Sequence, residues 1–187
     1  GGVLNVQTAD DSVNLVLVCT DTAATEGPIL DLTRDAGNVP GDGDSMGVIN
    51  FQNDNTDLVM HNYATIEART VDVSAGTEDG RLEITTVVAG AEGTSRILVD
   101  ATETVLNDNS VDLDFRVESN GNTHMLFVDG GSDHVNIGTD TDYGGRLNIK
   151  TGDNSTNLVL VSTDADGNVG PVLDLYRNSG SPVDNDL

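Results

Sequence analysis

Val111-Asp-Leu-Asp-Phe-Arg-Val-Glu118 alternates apolar and charged residues without a break. A period of two places Val111, Leu113, Phe115 and Val117 on one side of an extended chain and Asp112, Asp114, Arg116 and Glu118 on the other. Asn120-Gly121 follows, the dipeptide best suited to a tight hairpin turn, and then the apolar run Met125-Leu-Phe-Val128. The stretch therefore predicts a β-hairpin with one greasy and one charged face.

The same grammar extends in both directions. Leu82-Glu-Ile-Thr-Thr-Val-Val88 and Ser95-Arg-Ile-Leu-Val99 flank Ala89-Gly-Ala-Glu-Gly93, predicting a second hairpin with a longer loop. Asp79-Gly80 marks a further turn. Leu147 with Ile149, and Leu30 with Leu32, repeat the alternation. Asn14-Leu-Val-Leu-Val-Cys19 and Asn157-Leu-Val-Leu-Val161 are apolar at consecutive positions, which predicts strands buried on both faces and a buried Cys19. Between Tyr63 and Ser74 the alternation of Val71, Asp72 and Val73 and the β-branched Thr65 and Ile66 argue against a helix. The expected fold class is all-β, with roughly a dozen short strands and hairpins in β-prism or β-sandwich-like units.

The chain repeats itself. Gly1-Gly-Val-Leu-Asn-Val-Gln-Thr8 matches Gly144-Gly-Arg-Leu-Asn-Ile-Lys-Thr151, and Gly27-Pro-Ile-Leu-Asp-Leu-Thr-Arg34 matches Gly170-Pro-Val-Leu-Asp-Leu-Tyr-Arg177. Residues 1–44 and 144–187 are identical at 21 of 44 positions without a gap. The expected organisation is one full unit over residues 1–143, hairpin-rich over about 78–137, and the truncated start of a second copy over 144–187, from a polypeptide expected to extend at both ends. Units in series build long, quasi-one-dimensional objects, and the equivalent Gly27-Pro28 and Gly170-Pro171 would set equivalent bends in them.

Composition narrows the function. Among 187 residues, 32 are acidic and 8 basic, a formal net charge of −24. Phosphate binding needs a basic patch, so a nucleic-acid surface is excluded and an anionic membrane disfavoured. No stretch approaches the about 20 apolar residues of a membrane-spanning helix. Aromatic residues are only 3% and Trp is absent, too little bulk for a thick core in one chain. Thin sheets closed by identical partners fit better, and the self-repulsion of such an assembly would call for salt or divalent cations.

Against this background Leu126-Phe-Val-Asp-Gly-Gly-Ser-Asp-His-Val-Asn-Ile-Gly-Thr139, followed by Gly145-Arg-Leu-Asn-Ile149, resembles a phrase of phage tail fibres: an apolar strand ending in Asp-Gly, a Val-x-Ile-Gly-Thr segment, then a Leu-x-Val strand. Gly80-Arg-Leu-Glu-Ile-Thr-Thr86 and Thr94-Ser-Arg-Ile-Leu-Val-Asp100 resemble the hairpin that precedes it. Related phrases occur in bacterial surface adhesins. The resemblance implies an elongated, intertwined homotrimeric fibre of the virion tail, outside the cell. Its partners would be identical chains, other virion tail proteins and, through regions outside this segment, a host surface receptor. The alternative is a repeat unit of a bacterial or archaeal extracellular adhesin or filament.

Chemistry-bearing constellations are sparse. His61, His124 and His134 stand in no ligating spacing and read as solvated or structural, with His134 facing solvent. No nucleophile elbow or phosphate loop is present, and no acid sits among aromatics able to stack a sugar, so the chain reads as a non-enzyme with no cofactor. The same scarcity weighs against a glycan-binding module. Two clusters could hold calcium: Asp164, Asp166 and Asn168, and Asp42 with Asp44. In the first, the position of the closing Glu is Leu175, and the first repeat has Ala23 where the second has Asp166. Turn chemistry competes at both clusters, and loosely condensed calcium or magnesium suits the acidic surface better than a cage.

Overall fold

The computed structural model describes residues 3–7, 9, 13–20, 22, 27–35, 37, 39–163, 170–173 and 175. Regular structure among them is entirely β: nine strands in two sheets, without a helix. Two compact units divide the chain at 109/110. The repeat unit expected over 1–143 spans this boundary.

The first unit carries an antiparallel meander of β1 (Ser45–Asp54), β2 (Met60–Asp72), β3 (Asp79–Val88), β4 (Ala91–Val99) and β5 (Thr104–Leu106), paired in sequence order. The segment that raised the question of a helix is thus the longest strand. Its β-branched residues pack better on a pleated surface than against a preceding helical turn.

Two turns differ from expectation. Val88 pairs with Ala91, so the loop between β3 and β4 is the two residues Ala89-Gly90. Both have positive φ, 48° and 84°, the signature of a hairpin turn whose twist matches its strands. Gly93, at φ 73°, lies inside β4 beside a register shift, so it makes a bulge where a loop was expected. Asp79-Gly80 opens β3; the turn lies just before it, where the Thr77 N–H donates to the Ser74 carbonyl at 3.0 Å and Gly76 has φ 92°.

The second unit carries β6 (Phe115–Val117), β7 (Leu126–Asp129), β8 (His134–Ile137) and β9 (Leu147–Ile149). β6, β7 and β8 are antiparallel; β9 joins β8 in parallel. The hairpin predicted from Val111–Glu118 forms, but only Phe115–Val117 pairs, and residues 118–125 make a longer loop than Asn120-Gly121 alone would. Gly130 approaches the Leu113 backbone so closely that a Cβ there would lie 2.6 Å from the Leu113 carbonyl oxygen. The start of the predicted strand, Leu113 included, lies outside the ladder.

Burial departs most from expectation. Buried apolar residues are Leu98 (7% exposed) and Phe127 (8%) among the described residues. Leu15, Val16, Leu17 and Val18 are exposed and form no strand, as are Leu158–Val161, and Cys19 is exposed. Leu30 and Leu32 likewise form no strand. A strand buried on both faces needs a sheet neighbour and a layer on either side, and a single chain supplies neither here.

Candidate interaction surfaces

The register of the first sheet sorts its side chains into two faces. Ile49 faces Ile66, Ile66 faces Ile84, Ile84 faces Ile97 and Ile97 faces Leu106: one unbroken apolar row across five strands. Gly47, Ala68, Leu82, Val99 and Thr104 form the adjacent row, and Phe51, Ala64 and Thr86 flank it on the other side. These rows hold no carboxylate; the bulged Arg96 of β4 reaches their edge, its Nε donating to the Thr86 hydroxyl oxygen at 2.7 Å. In these rows Ile49, Phe51, Leu82, Val99 and Leu106 are exposed. Cover is local: a Cβ at Gly47 would lie 3.0 Å from the Leu32 Cβ, and the Arg34–Asp44 ion pair at 2.5 Å anchors that segment.

The opposite face is polar. Glu67 stands directly across from Glu83, and Arg69 from Arg81. Like charges facing each other across a ladder repel. Each is offset by its neighbour two residues along: Arg69 reaches Glu67 at 3.0 Å and Arg81 reaches Glu83 at 3.9 Å. The result is a neutral square of four charges in a strongly acidic chain. It borders a shallow cavity of about 440 Å³ that also takes in Asn62 and Glu92. At its end His61 Nδ1 lies 2.7 Å from Glu92 Oε1.

The second sheet is organised alike. Phe115, Val128, Val135 and Leu147 form one apolar row by register, with Val117, Leu126, Ile137 and Ile149 beside it. The rows of this face hold no charge, and Phe115, Val117, Val128, Ile137 and Leu147 are exposed. Arg116, Phe127, Asn136 and Asn148 share the other face. There the His124 ring meets Phe127 edge-on at 5.2 Å, and Asn136 is fully buried. Asn148 Nδ2 donates to Asn136 Oδ1 at 2.7 Å and to the Gly145 carbonyl at 2.9 Å. Reading the sequence for chemistry missed this polar core. Its one sequence signal is an Asn in the middle position of both Val135-Asn-Ile137 and Leu147-Asn-Ile149.

The residues singled out for chemistry serve as turn supports where they are described. Asp44 Oδ2 accepts from the Gly41 N–H at 2.9 Å; that bond, with the Arg34 guanidinium, holds its carboxyl below the usual range. Asp42 Oδ1 accepts from the Val73 N–H at 3.1 Å. The two carboxylates are thus drawn to different partners. Asp164, Asp166 and Asn168 lie outside the described residues. No group of three or more His, Cys, Asp or Glu is placed to hold a metal ion among the described residues. His134, expected to face solvent, is half-buried, its Nδ1 3.0 Å from Asp142 Oδ1, because the loop after β8 folds back over it.

No protein-family model matches the chain, and no curated protein matches it in sequence. The functional reading rests on the residues and the sheets.

Proposed function

We propose that this chain is a structural shaft segment of a phage tail fibre, in which three identical chains close around a common axis. The observation that carries the reading is the shortage of interior: two sheets, and only Leu98 and Phe127 as buried apolar side chains among the described residues. A sheet stabilises itself by covering one face, and these sheets leave an apolar face open in a single chain. The 143-residue repeat supports a serial, elongated architecture. The tail-fibre phrase over 126–149 has a physical basis in the fold: Asp129-Gly130 leaves the room that Leu113 needs, and Gly138, at φ 82°, lies where a Cβ would run into the Lys150 carbonyl.

In this reading the work is mechanical. The segment sets receptor-binding tips, outside these residues, away from the virion and presents several copies together, so weak contacts add. Its partners are identical chains and other tail proteins, in an extracellular setting where salt and loosely held divalent cations screen the acidic surface. The second reading, an extracellular adhesin or filament of a bacterium or archaeon, uses the same assembly. Neighbouring genes separate the two: tail and baseplate genes favour the first, secretion machinery the second.

Multi-angle light scattering at physiological salt tests the reading. The expected mass is that of three chains, with a β-type far-ultraviolet circular dichroism spectrum. A monodisperse monomer at every concentration overturns it.

A further inference from the structure

We propose that the two apolar sheet faces, both without carboxylates, are the surfaces through which copies of this chain meet, and that both are needed at once. The inference rests on the assembly reading above and adds where the contact lies. Three observations lead to it. First, two sheets of different topology, one a meander and the other with a parallel strand, separately keep every acidic residue of their paired strands off one face; the first sheet admits a single cation there, Arg96, held at the edge by Thr86. Second, a chain of net charge −24 repels its own copies wherever acidic surfaces approach. A contact through faces without acidic residues escapes that cost and removes exposed Ile, Val, Leu and Phe from water. Third, the relief of the first face suits another sheet: Ile66 rises between Ala64 and Ala68 along β2, a ridge between two hollows. Facing sheets pack by such interdigitation.

Area decides whether one face suffices. Strands about 4.8 Å apart and residues about 3.4 Å apart give the first face on the order of 400 Å² and the second on the order of 200 Å². A stable association buries roughly 800 Å² per partner. Neither face reaches that figure alone, and together they approach it. Loss of either should therefore cost most of the assembly, and further units in series should strengthen it.

Sedimentation velocity of the full chain over a wide concentration range tests this with two paired variants. Ile66→Thr with Ile84→Thr alters the first face, and Val128→Thr with Val135→Thr the second. Both keep β-branched side chains that suit strands. Glu83→Gln with Arg116→Gln alters the opposite faces as a control. Each Thr pair should raise the midpoint concentration for assembly about tenfold or more, given the cost of hydroxyls in a dry contact; the Gln pair should leave it within about twofold, as expected of half-exposed ion pairs. Hydroxyl-radical footprinting of the unmodified chain gives a readout independent of any folding defect: Ile66, Ile84, Val128 and Val135 should gain protection as concentration rises. Assembly by the unmodified chain with no such protection, or its loss in the Gln pair alone, overturns the proposed contact and leaves the fibre reading standing. A chain that never assembles overturns both.

Discussion

At the scale of single residues, backbone space and hydrogen bonds explain what side-chain pattern does not. Gly130 is required because the Leu113 backbone occupies the place of a Cβ. Gly130→Ala should destabilise the second unit by about 2 kcal/mol or more, read as a lower urea midpoint, because neither backbone can give way cheaply. Ala89 is the reverse case. It holds φ 48° in a turn where Asn or Gly is at ease. Ala89→Asn should stabilise the first unit by about 0.5–1 kcal/mol, seen as a higher melting temperature. Asn120-Gly121 lies in a loop as its signal implies, whereas Asp79-Gly80 opens a strand just after its turn, and Ala89-Gly90 makes a tight turn with no such signal.

At the scale of strands and turns, the acidic residues have a structural role that their number conceals. The Asp72 carboxylate accepts from the Ser74 N–H at 2.7 Å and from the Thr77 hydroxyl at 3.0 Å. Asp100 accepts from the N–H groups of Thr102 and Glu103, at 2.8 and 3.1 Å, and from the Thr102 hydroxyl. Asp142 accepts from the Gly144 N–H at 2.7 Å and pairs with His134. These bonds, backbone donors foremost, lower all three carboxyl pKa values below the ordinary carboxylate value. A depressed folded pKa means the carboxylate stabilises the fold above its unfolded pKa, about 3.9, and that the stabilisation is lost as pH falls through the lower folded value. The urea midpoint should therefore hold level from pH 7 to about 5 and fall below about 4. Asp100→Asn should flatten the acid limb; a midpoint that rises on acidification through that range would remove these turns from the account. Strand interiors with clean alternation, such as Leu82–Ile84, were readable. Strand ends were not, because the bulge at Gly93 follows from the tight turn at Ala89-Gly90 that carries no Asn or Asp signal, and the close approach at Gly130 is set by Leu113, distant in sequence.

At the scale of the whole molecule, charge and apolar surface oppose one another, and salt shifts the balance. Raising ionic strength from about 0.15 M to about 1 M shortens the screening length from about 8 Å to about 3 Å. Repulsion between acidic chains then weakens while contact between the apolar faces is little affected. Assembly measured by light scattering should strengthen as sodium chloride rises. Weakening would place the Glu67–Arg69–Arg81–Glu83 square, and not the isoleucine row, at the contact. The exposed runs Leu15–Val18 and Leu158–Val161 belong to the same balance: their pattern called for burial, and one chain leaves them bare.

The sequence by itself determined the β class, the segregation of charge from apolar residues along the clearest strands, and the 143-residue repeat, because these depend on periodicity and identity along the chain. Only the tertiary structure decided which strands pair, that β9 joins β8 in parallel, that Asn136 and Asn148 share a buried hydrogen bond, and that each sheet leaves one apolar face open. Those outcomes depend on register and on backbone contacts between residues far apart, which no local pattern carries.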